Sequence, residues 1–81
     1  MNKVIEEKLI SIIQSKGINT LSITDETDLI NDLCLDSSLV FNIIMEIERR
    51  FDILLVDDEK TFDTFKKFSS LVSLVEEEVC H

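Results

Sequence analysis

The run Asp32-Leu33-Cys34-Leu35-Asp36-Ser37-Ser38-Leu39 leads straight into Val40-Phe41-Asn42-Ile43-Ile44-Met45-Glu46-Ile47-Glu48-Arg49-Arg50-Phe51, and this stretch decides the fold. Val40, Ile43, Ile44, Ile47 and Phe51 recur three or four residues apart, which predicts a helix from Ser37 to Phe51 with one buried stripe. Asp36 is a good N-cap for it, because a carboxylate there accepts an orphan amide of the first turn. Arg49 and Arg50 fall in the last turn, where cations complement the helix dipole.

Working outward, the upstream segment Ile18 to Asp36 has no sustained period. It is rich in Asn, Thr, Ser and Asp, and carries five acids (Asp25, Glu26, Asp28, Asp32, Asp36) with no base. It reads as a long ordered loop anchored by Leu21, Ile23, Leu29, Leu33 and Leu35, and loops of that length in small domains are often functional. Before it, Val4, Ile5, Leu9, Ile12 and Ile13 mark an amphipathic helix from Lys3 to Lys16, with Gly17 as its C-cap. Downstream, Asp57-Asp58-Glu59 is expected to start a brief helical turn ending near Phe62. Asp63 or Thr64 then caps a last helix through Phe65, Phe68, Leu71, Val72 and Val75 to about Val79. The expected class is all-α: a four-helix bundle with a short third helix and a long loop between helices one and two. Residues 1–81 read as a single domain.

Composition narrows the function. Eighty-one residues leave no room for a second core, and a chain this size buries only about 60% of its unfolded surface. The hydrophobic fraction of 44% is enough for one core and argues against disorder. Seventeen acids against eight bases give a net charge of −9. Such a domain repels nucleic acid and anionic membranes and is steered towards basic patches on other proteins. Most of the acids need do no more than keep it soluble. The N-terminal residues meet charge before any apolar run develops, so neither a signal peptide nor a membrane span is expected, and a cytoplasmic monomer is.

The search for reactive groups is mostly negative. Cys34 and Cys80 make neither a disulfide framework nor a zinc pattern. A calcium loop begun at Asp57 puts Phe62 where glycine is needed, and one begun at Asp25 puts Leu29 at a ligand position. With one glycine there is no phosphate-binding loop, and a Ser-His-Asp triad would have to recruit His81, the last residue. No enzyme site and no metal site are expected. What remains is Ser37, a hydroxyl at the start of a helix whose dipole and free amides favour a phosphate. Asp-Ser-Ser before an apolar run is also an ordinary capping sequence, and on the residues alone that plainer reading is the stronger of the two.

A family resemblance separates them. Asp32-Leu33-Cys34-Leu35-Asp36-Ser37 resembles the D-L-G-x-D-S signature of acyl carrier proteins. Ile43-Ile44-Met45-Glu46-Ile47-Glu48-Arg49-Arg50-Phe51-Asp52-Ile53 resembles the family's L-V-x-x-[LI]-E-x-x-F-x-[IV] pattern without a gap, and Ile23-Thr24, Thr27-Asp28-Leu29 and Asp63-Thr64-Phe65 resemble its flanking segments. The resemblance implies that Ser37 receives a 4'-phosphopantetheine arm from coenzyme A by the action of a phosphopantetheinyl transferase. The arm then holds an acyl group as a thioester for loading ligases and synthases of fatty acid, polyketide or related synthesis, with no catalysis by the carrier. Ile47-Glu48-Arg49-Arg50-Phe51-Asp52-Ile53-Leu54 is also similar to D-alanyl carriers, so an aminoacyl cargo is the alternative. An unmodified helical interaction module is a third reading, against which intact Asp36-Ser37 speaks. The implied docking positions are Asp36, Ser38, Leu39, Phe41, Met45, Glu48 and Asp57.

The departures from the family are specific. Cys34 stands where the signature has glycine, and a small buried residue is the expected role. Ser38 replaces an apolar leucine, Leu39 and Asn42 replace common acids, and Arg49 and Arg50 replace acids near the helix end. An acidic docking face is therefore partly erased. Phe62, Phe65 and Phe68, with Phe51 and Ile47, are expected to fill the place where an acyl chain would otherwise enter, which favours a short or polar cargo.

Overall fold

The computed structural model describes residues 3–55 and 59–79. These form five helices, α1 (Lys3–Ser15), α2 (Leu29–Asp32), α3 (Ser37–Phe51), α4 (Glu59–Thr64) and α5 (Phe68–Val79), with no strand among the described residues. The bundle rests on three apolar stripes. Val40, Ile43, Ile44 and Ile47 of α3 and Phe68, Leu71, Val72 and Val75 of α5 share one spacing, and Ile5, Leu9, Ile12 and Ile13 complete the set on α1. All twelve are buried, and each contributes about 1.5–3 kcal/mol of transfer free energy. α1 packs against both α3 and α5, and α4 packs on α5. The Lys8 ammonium lies 5.4 Å from the centre of the Phe51 ring, joining α1 to the last turn of α3.

The helix ends follow the local chemistry. Gly17 takes a φ of 81°, and its amide donates to the Gln14 carbonyl at 3.0 Å, closing α1 as expected of a C-terminal glycine. Asp52 closes α3 in the left-handed conformation, and the Ile53 amide donates back to the Glu48 carbonyl at 3.2 Å.

Several sequence-based expectations are corrected. The loop after α1 contains a helical turn, α2, which has too few residues to show a period. Asp28 caps it: one carboxylate oxygen accepts from the Ile30 and Asn31 amides, both at 3.0 Å, and the other from Asn31 Nδ2 at 2.7 Å. These bonds hold the Asp28 carboxyl below the ordinary aspartate range, with the Asn31 backbone amide contributing most. Leu21 is no anchor, being 94% exposed, whereas Leu29 and Leu35 are buried and Ile23 and Leu33 half-buried. Val4 points outward at 61% exposure, off the α1 stripe, and Phe51 is only half-buried. The last helix begins at Phe68, because Phe65 to Lys67 form the turn after α4. The expected short helix starting at Asp57 falls partly outside the described residues, and its described part runs on to Thr64.

That turn meets the long loop through backbone bonds. The Leu29 amide donates to the Phe65 carbonyl at 2.8 Å, the Phe68 amide to the Thr27 carbonyl at 2.9 Å, and the Ser69 amide to the Asp25 carbonyl at 3.0 Å. Buried Thr27 accepts from the Thr24 amide through Oγ1 at 2.7 Å, and among the described residues no buried side-chain polar atom lacks a partner. An ordered loop thus delivers the chain to α3.

Candidate functional site

Three adjacent residues set the entry to α3. Cys34 adopts a φ of 55°, so the chain reverses after α2 through a left-handed residue. Leu35 then enters the core, and its amide donates to the Ile30 carbonyl at 3.0 Å. Asp36 is extended and caps α3, its Oδ1 accepting from the Leu39 amide at 2.8 Å, while its carbonyl accepts from the Val40 amide at 3.0 Å. Ser37 is the first helical residue and is exposed. Its own amide and that of Ser38 have no protein partner among the described residues, as expected for the first turn of a helix.

Cys34 corrects the expected buried role: its side chain is exposed, and the thiol has only a long contact of 3.9 Å to the Asn31 carbonyl. The position selects for backbone conformation and not for size. Left-handed geometry costs an L-residue roughly 1–2 kcal/mol, whereas glycine adopts it freely. Cys34→Gly should therefore stabilise the fold by about 0.5–1 kcal/mol after the added freedom of the unfolded chain is subtracted, read as a rise in melting temperature. A fall would show that the cysteine side chain holds the turn.

The exposed face of α3 differs from an acidic surface. Phe41 and Met45 are 42% and 58% exposed. Ser38 and Asn42 are exposed and linked, Asn42 Nδ2 donating to the Ser38 carbonyl at 3.1 Å, and Leu39 is half-buried. Glu48 is half-buried and accepts from the Leu55 amide at 3.0 Å, so it ties down the chain beyond α3. Glu46 bridges Arg49 at 2.7 Å and Arg50 at 2.8 Å, and those two bonds hold its carboxyl at about 2, so it stays ionised at neutral pH. The sequence reading missed this pairing, although its three- and four-residue spacing was visible. Asp57 lies outside the described residues.

The family model described as a phosphopantetheine attachment site matches residues 7–77. The acyl carrier protein of Karelsulcia muelleri (strain GWSS) is 36% identical over 58 residues, which is 72% of this chain and 70% of that protein. The chain belongs to the acyl carrier protein family.

As an acyl carrier it bears phosphopantetheine, whose terminal thiol holds an acyl group as a thioester. The start of α3 fits the phosphate end of that group. A fifteen-residue helix presents two amides without a partner among the described residues beside an exposed hydroxyl, and its dipole favours an anion there by about 0.3–1 kcal/mol. Carriers of this family generally work with transferases and synthases and do not catalyse. No helix among the described residues is long and apolar enough to cross a membrane, and no described group of acids, histidines or cysteines could hold a metal.

Proposed function

We propose that Ser37 is the attachment residue and that residues 1–81 act as one non-catalytic carrier domain for a short or polar acyl group, an aminoacyl group included. The observation that carries the attachment is an exposed hydroxyl on the first residue of α3, beside two amides without partners among the described residues and behind the Asp36 cap. In the loading step Ser37 Oγ attacks the pyrophosphate phosphorus next to the pantetheine of coenzyme A. The bond to the other phosphate breaks, adenosine 3',5'-bisphosphate leaves, and the serine proton passes to a base on the transferase. The carrier supplies the nucleophile's position and a helix terminus that suits the new phosphodiester.

The size of the cargo is argued from the core. Phe65 and Phe68 are 0% and 1% exposed, and Ile47 of the same apolar core is fully buried, so large side chains already fill that core. Among the described residues, one surface depression, lined by Thr64, Ser69, Ser70, Ser73, Leu74 and Glu77, is wide open to solvent and so would not shelter an alkyl chain from water. Thermal melts of carrier bearing acetyl, octanoyl and D-alanyl groups test this. Equal melting temperatures are expected, because a chain left in solvent adds no apolar burial. A large stabilisation specific to octanoyl would show that the phenylalanines part to admit a long chain.

A further inference from the structure

A carrier of this family bears one thiol at the end of its arm, where the acyl group is held. This chain offers a second thiol close to the arm's origin. Cys34 lies three residues before Ser37, and both side chains are exposed at the entry to α3. The Cys34 thiol makes only a weak contact, 3.9 Å to the Asn31 carbonyl, which leaves it available. Nothing between the two positions stands in the way. Leu35 is buried in the core, and Asp36 has its carboxylate engaged by the Leu39 amide at 2.8 Å. Three peptide units separate the Cα atoms of Cys34 and Ser37 by at most about 11 Å. The main chain of the arm, from phosphate to sulfur, is longer than those three units and consists mostly of freely rotating single bonds, so it can turn back to Cys34.

We infer that Cys34 forms a reversible disulfide with the thiol of the phosphopantetheine arm, and that this ring withdraws the carrier from acyl transfer when the surrounding thiol pool is oxidised. The inference rests on Ser37 as the attachment residue. The pair makes the site; without the arm, Cys34 is an ordinary surface cysteine. A short flexible tether holds its two ends at an effective concentration on the order of millimolar, so ring closure competes with free thiols. Only one of the two sulfurs is fixed to the backbone, so the S–S dihedral can settle near about 90° without moving the fold. The oxidant is a low-molecular-weight disulfide, such as oxidised glutathione. Cys34 Sγ, as the thiolate, attacks one sulfur of that disulfide and releases a glutathione thiolate. The Cys34 sulfur then exchanges its glutathione for the sulfur of the arm, and a second glutathione leaves. The protons of the two carrier thiols end on the two released glutathiones; the small disulfide is reduced and the carrier pair is oxidised. A closed ring has no thiol left to form a thioester, and excess reduced glutathione reopens it by the reverse steps.

The experiment takes the full chain with its arm, confirmed by intact mass, and equilibrates it with reduced and oxidised glutathione before an acid quench. Trypsin cuts after Lys16, Arg49 and Lys67, which leaves Cys34 and Ser37 on one peptide and Cys80 on another. The arm-bearing peptide 17–49 should be lighter by two hydrogens than its reduced form and should resist alkylation until a reductant is added. Diluting the glutathione couple about tenfold at a fixed ratio of its two forms should raise the ratio of ring to dithiol about tenfold, because closure releases two glutathiones for each disulfide consumed. A mixed disulfide between arm and glutathione does not respond to that dilution. Cys34→Ser should leave only this mixed disulfide, with a melting temperature close to that of the unaltered protein, whereas Cys80→Ser should close the ring as before. An arm that takes up glutathione while Cys34 stays a free thiol overturns the inference. So do two carriers joined arm to arm, or an arm linked to Cys80. Failure of the attachment reading looks different: the unaltered protein takes up no arm, or Ser37→Ala takes it up as well.

Discussion

Ser37→Ala is expected to abolish the addition of phosphopantetheine when the protein is incubated with coenzyme A and a promiscuous transferase, while Ser38→Ala still gains one arm per chain. The effect is all-or-none on the proposed reading, in which Ser37 alone supplies the nucleophile at the start of α3. Ser38 is exposed too, but it lies about 100° further round the helix and so faces a different direction. Intact-mass spectrometry reads the outcome. Melting temperature separates chemistry from folding: an exposed first-turn serine changed to alanine should shift stability by no more than about 0.5 kcal/mol. Labelling that persists in Ser37→Ala, or moves to Ser38, removes the assignment.

The second large effect is expected at Phe65, far from Ser37 in sequence. Its side chain is fully buried in the turn between α4 and α5, and its carbonyl accepts the Leu29 amide at 2.8 Å. Phe65→Ala should cost about 3–5 kcal/mol, transfer and cavity terms together. Small domains have only about 5–15 kcal/mol to lose, so this corresponds to a drop in melting temperature of roughly 15 °C or more. Denaturant titration followed by circular dichroism measures it. Phe65→Leu keeps most of the volume and should lose under about 1.5 kcal/mol. A loss of less than about 1 kcal/mol for the alanine variant would mean that the turn is peripheral to the core. Where Phe65→Ala still folds, modification of Ser37 should also slow, because the loop delivering α3 is bonded to that turn.

The three long helices were legible because burial against a common core demands apolar residues at three- and four-residue spacing, and no other pattern in this chain competes with it. Asp36 as a cap and Gly17 as a stop were legible because each satisfies backbone groups within its own turn, so no distant residue has a vote. The carrier signature around Ser37 was legible for the same reason: its residues are contiguous.

The tertiary structure decided whatever depends on residues far apart along the chain. The loop anchors divide accordingly, Leu29 being buried where Phe65 meets it while Leu21, chemically identical, stands in solvent. The start of the last helix could not be read because Phe65 suits a helix and a turn equally, and the bond to Leu29 is made by the turn. Cys34 shows the limit most clearly. Its residue type points to a small buried thiol, but the path from α2 into α3 imposes a positive φ at that position and leaves the side chain outside. Local periodicity records which face of a segment is covered; backbone conformation between segments is set by where their ends must meet, and that is a property of the packed bundle alone.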